Sequence, residues 1–143
     1  MKKKETWDSE LSAFCAASAR TPFKWGGNDC LSFALKAVEA MTGRVVWEHP
    51  QFPDAEGAER FLRAQGGIES LVERIAIGAG MREVQTPTRQ CSRGDLALFQ
   101  NSRRLCVGVV GIGKVLCPGP CGLKSAKLSA VTRGWTLTGE EDS

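Results

Sequence analysis

The chain has 143 residues, 42% of them hydrophobic and 24% charged, which is enough for one domain with a real core. Its 19 basic and 16 acidic residues leave a net charge of +3 scattered along the chain, without the clustered basic face that duplex binding requires, so nucleic acid is not an expected partner. No apolar run approaches the ~20 residues of a membrane span, and MKKKETWDSE lacks the apolar stretch of a signal peptide, so the product is expected in the cytoplasm at first, with its six cysteines reduced.

From Glu5 to Ala19, residues Trp7, Leu11, Phe14, Cys15 and Ser18 recur at helical spacing, and Cys15 falls on the buried side as a small core residue. Thr21-Pro22 ends that helix. Asn28 or Asp29 is placed to cap a second one, in which Cys30, Phe33, Ala34, Ala37, Val38 and Met41 form an apolar stripe that stops at Gly43. After a loop with His49, Pro50 and Pro53, a third helix runs from a cap at Asp54 to a stop at Gly66, and a short helical piece follows around Ile68 to Ile75. From Met81 the chain turns rich in Gly, Val and Thr, with short apolar runs GDLALFQ, LCVGVVGIG, KVLCPG and RGWTLTG between turn residues. Helices first and strands second predict an α+β domain over residues 1–138, its N-terminal helices packed on a small C-terminal antiparallel sheet, with 139–143 as a flexible tail.

Five motifs stand in order: PFKWGGNDC from Pro22 to Cys30, Gly94-Asp95, VGVVG from Val107 to Gly111, PGPCGL from Pro118 to Leu123, and Trp135. This order resembles the NlpC-like cell-wall peptidases, a papain-like superfamily of cysteine hydrolases, and within it a phage-type branch of short proteins encoded among tail genes. The resemblance spans roughly Trp7 to Leu137. It implies that Cys30 sits where the superfamily's nucleophile sits. It also implies a histidine base at the start of the VG-x-x-G strand, where this chain has Cys106. The sole histidine is His49, on a Pro-flanked loop before the third helix, and it reads as a solvated loop residue beyond hydrogen-bond reach of the thiol.

Cys30 thus has two readings. A thiol in the first turn of a helix feels the unpaired amides, which favours the thiolate, or it is simply packed there. Asp29 beside it would oppose a thiolate and is expected to cap the helix. Trp25 and Asp29 are the candidate groove residues around Cys30; Asp95 reads as a turn residue, and Trp135 as core or groove wall. Cys117 and Cys121, four apart in a turn, could share a zinc ion or iron–sulfur cluster with Cys106, or be linked to each other after release of a virion. Free thiols are the preferred reading, and no cofactor is expected.

The resemblance implies a phage tail protein, and the missing base a non-hydrolytic one: a structural component of the tail tip or baseplate, with other tail-tip or hub proteins as partners and peptidoglycan as a further one. The rivals are an active peptidoglycan amidase or endopeptidase using Cys30, and a cytoplasmic tail-assembly factor absent from the finished particle.

Overall fold

The computed structural model describes residues 2–49 and 51–137. The tail expected at 139–143 lies outside them. Helices α1 (Trp7–Ser18), α2 (Cys30–Thr42), α3 (Ala55–Ala64) and α4 (Ile68–Gly78) come first. Then come β1 (Arg82–Glu83), α5 (Pro87–Gln90), β2 (Leu96–Asn101), β3 (Arg104–Val110), β4 (Lys114–Gly119), β5 (Gly122–Lys127), a 3-10 turn (Leu128–Ala130) and β6 (Val131–Thr136). The fold is α+β, with N-terminal helices and a C-terminal sheet of six antiparallel strands in the order β1-β6-β2-β3-β4-β5.

Helix α2 is the centre of the molecule. Eight of its thirteen residues are buried, Leu31 to Leu35 with Ala37, Val38 and Met41, so it is covered nearly all round instead of along one stripe. Asp29 caps its start, and Gly43 ends it in the left-handed conformation (φ +77°) with its N–H on Glu39 O. Alternation along the strands divides the sheet's side chains between two faces. Leu96, Leu98, Val107 and Val109 join the helices in the main core, while Ala97, Phe99, Val110, Val115, Cys117 and Val131 form a smaller cluster opposite. Gly108 permits the close approach of β3 and β4: a Cβ there would stand 2.6 Å from Leu116 O and 2.7 Å from Val115 Cγ1.

Three elements escape the sequence reading. Strand β1 is two residues long, α5 is a single turn begun by Pro87, and β5 (GLKSAK) is an edge strand with half of its residues exposed, so it carries no apolar alternation. The expected Cys117–Cys121 turn is also corrected. Cys117-Pro-Gly belongs to β4, and the hairpin turns at Pro120-Cys121 with Gly119 facing Gly122.

Candidate functional site

The segment before α2 is held at both ends. Phe23 N–H donates to Gly119 O of β4 (2.8 Å), and Lys24 and Asn28 close a tight turn, Asn28 N–H reaching Lys24 O at 2.8 Å. The Asn28 amide donates back to Thr21 O (3.2 Å) and Pro22 O (3.0 Å). Asp29, 3% exposed, spends both oxygens on this turn: Oδ1 accepts from Ser32 N–H and Oδ2 from Gly26 N–H, each at 2.9 Å. It is the helix cap, and its carboxylate is turned into the protein instead of toward a groove. Burial alone would raise its pKa, but His49 and the Ser32 and Gly26 amides outweigh that and hold it below the usual carboxylate range.

His49 corrects the sequence reading. Its side chain is 10% exposed, not solvated; Nε2 lies 3.2 Å from Asp29 Oδ1, and the ring stands edge-on to Trp47 and Phe52. That contact is short but off the N–H direction, so neither ring nitrogen makes a well-aligned hydrogen bond among the described residues. Gly26 pins the histidine loop in place, since its φ is +78° and a Cβ there would meet Phe52 N at 2.6 Å. His49 and Cys30 share the wall of a small cavity of about 30 Å³. The thiol's own partners are nevertheless Cys106 and the Val107 N–H, not the ring.

Cys30 opens α2 and faces β3, where Cys106 sits opposite Phe99 of β2. The two thiols line the same two grooves and compete for a proton. The Cys30 thiol is pushed well above the ordinary cysteine value, first by the bond it makes to Cys106 and then by burial, with the Asp29 charge adding to both. Activation by the helix end therefore fails, because Asp29 already occupies that end. Cys106 is the thiolate of the pair: the Cys30 hydrogen bond lowers it most, burial opposes, and the Asn101 amide, 4.0 Å from Sγ, with Lys124 and Arg104 help bring it to about 6.

The pair lies on a floor shared by two grooves. One, of about 440 Å³, runs past Phe23, Cys117, Pro118 and Lys124; the other, of about 340 Å³, runs past Glu59, Leu62, Ile68 and Arg103. Trp25 and Arg104 stand in both, the guanidinium 6.0 Å from the indole centroid, and Phe23 meets Trp25 edge-on at 4.7 Å. Trp25 thus lines both grooves. Trp135 is core, 2% exposed, and Asp95 is a buried turn residue whose Oδ2 accepts from Ser92 N–H at 2.9 Å.

The cysteines suggested as metal ligands do not converge. Cys117 is buried beside the larger groove and Cys121 is exposed at the hairpin tip, and both are free thiols; among the described residues no group of three His, Cys, Asp or Glu is placed to hold an ion. Sequence reasoning missed Arg104, Asn101 and Lys124, which come from a polar hairpin and an edge strand and show no periodic signal. It also treated Cys106 as a missing base or a metal ligand and not as a partner of Cys30, although that position is what brings it to Cys30.

These features define an α+β domain with a half-buried cysteine at a capped helix start paired with a strand cysteine at the floor of an open groove. The chain belongs to the family described as a domain of unknown function, DUF6950, whose model matches residues 2–137. No curated protein matches the chain. No helix among the described residues is long and apolar enough to cross a membrane.

Proposed function

We propose that this chain is a cysteine-peptidase-like domain of the NlpC-like kind that has lost its hydrolytic chemistry and serves as a structural component of a phage tail tip or baseplate. The observation that carries the reading is the identity of Cys30's partner. A nucleophilic cysteine needs a group that takes its proton and later protonates a leaving amine. The group in that place is a second thiol, which is the thiolate of the pair and leaves Cys30 protonated. His49 is held against Asp29. The helix-start cysteine, the adjacent strand and the groove between them fit the architecture that the motif order implies, and the phage setting rests on that motif order.

Two experiments test it. A stoichiometric band of this chain in purified virions is expected, and its absence from finished particles would favour an assembly factor instead. Phage carrying Cys30→Ser should form normal tails and infect nearly normally. Normal tails with a specific loss of DNA delivery, rescued by thinning the cell wall, would mean that the thiol hydrolyses peptidoglycan.

A further inference from the structure

We propose that Cys30 and Cys106 form a reversible dithiol–disulfide centre that exchanges with small disulfides carrying carboxylates, admitted along the groove past Arg104 and Lys124. This goes beyond the tail reading and does not depend on it. Two thiols that line the same two grooves side by side and compete for a proton need only lose their hydrogens to be joined, and both stand on regular elements, the first turn of α2 and strand β3. The pair is the floor of both grooves, so an incoming disulfide can reach it. The other cysteines lack this combination. Burial raises Cys15, Cys91 and Cys117, and Cys121 is alone at the hairpin tip.

The roles divide as the proton does. The Cys106 thiolate attacks one sulfur of R–S–S–R; that bond breaks, a Cys106–S–S–R bond forms and R–S⁻ departs. Cys30 then gives up its proton and attacks the Cys106 sulfur, closing the Cys30–Cys106 bond and expelling the second R–S⁻, which takes that proton. The protein pair is oxidised by two electrons and the small disulfide is reduced to two thiols. Arg104, Lys124 and the neighbouring Arg103 give the approach a positive lining, which favours an anionic disulfide over a cationic one.

The test equilibrates the full chain with mixtures of reduced and oxidised glutathione, then maps the cross-linked peptides by mass spectrometry. A Cys30–Cys106 link that forms and reopens with the glutathione ratio is expected. Cys30→Ser should hold glutathione on Cys106 as a stable mixed disulfide, whereas Cys106→Ser should react at Cys30 at least ~10-fold more slowly than the native chain, because burial and the Asp29 charge still disfavour that thiolate once Cys106 is gone. Glutathione disulfide should outpace cationic cystamine, with the gap narrowing in Arg104→Ala. Absence of a Cys30–Cys106 link at every ratio, a link from Cys106 to Cys117 instead, or mixed disulfide confined to Cys121 would overturn the proposal; equal rates for the two disulfides would overturn its charge selectivity.

Discussion

His49 Nε2 stands 3.2 Å from Asp29 Oδ1, and that contact commits the chain's single histidine to the carboxylate that caps α2. A histidine serving the thiol would set the pH profile of thiol reactivity, and one serving the cap would not. His49→Ala should therefore lower stability by about 1–3 kcal/mol, because it uncovers a buried carboxylate, while leaving the midpoint of Cys106 alkylation against pH unchanged. Chemical denaturation and iodoacetamide titration read the two effects separately. A shifted midpoint would give the ring a role at the thiols.

Asp29 makes a pH-dependent contribution whose sign follows from its depressed folded pKa. Such a carboxylate stabilises the fold fully above its unfolded value of ~3.9, and the contribution is lost as pH falls through the folded value. Asp29→Asn should cost about 1 kcal/mol near neutral pH, as a weakened cap does. Its urea midpoint should converge on the native one in acid. Asp95, raised mainly by burial, works in the opposite direction, and because it is present in both chains, comparing native protein with Asp29→Asn cancels it. A gap that stays constant into acid would show that the Asp29 charge contributes nothing.

Gly26→Ala tests the turn that seats both Cys30 and the histidine loop. The positive φ costs a β-carbon about 1–2 kcal/mol before any collision, and the Phe52 backbone stands where that carbon would go. Lower thermal stability with faster alkylation of Cys30 is expected. Unchanged stability would mean that the loop yields freely.

Trp135→Ala should behave as a core truncation. The ring is buried on β6 under the Arg133 guanidinium, 4.9 Å from its centroid. The loss should be ~3–5 kcal/mol, a large part of the roughly 5–15 kcal/mol typical of a domain, seen as loss of folded protein at physiological temperature. Cys30→Ser should keep the fold. A Trp135→Ala variant as stable as Cys30→Ser would contradict the packing described.

The legible parts of the fold are those with local signals. Helix α2 announces itself through Asp29, its apolar residues and Gly43, and β2 and β3 through LALF and VGVV. Strand β5 is illegible because this edge strand leaves half of its residues exposed. Cys117 is misread because Pro118-Gly119 has the look of a turn, although Pro tolerates a strand near an edge. His49 cannot be placed from sequence at all: its burial depends on Gly26 meeting Phe52 across the loop, a contact between residues distant in the chain. Cys30 is legible at its helix start, but its protonation follows from Cys106 and Asp29 acting together, which no spacing encodes.

The most direct test of the central claim, that the thiol facing Cys30 replaces a catalytic base, is the release of soluble fragments from purified peptidoglycan by the native chain and by Cys30→Ser and Cys106→His. Native protein and Cys30→Ser should release equally little, and any gain should appear only in Cys106→His. Release by the native protein that vanishes in Cys30→Ser would contradict the claim and make the domain a hydrolase.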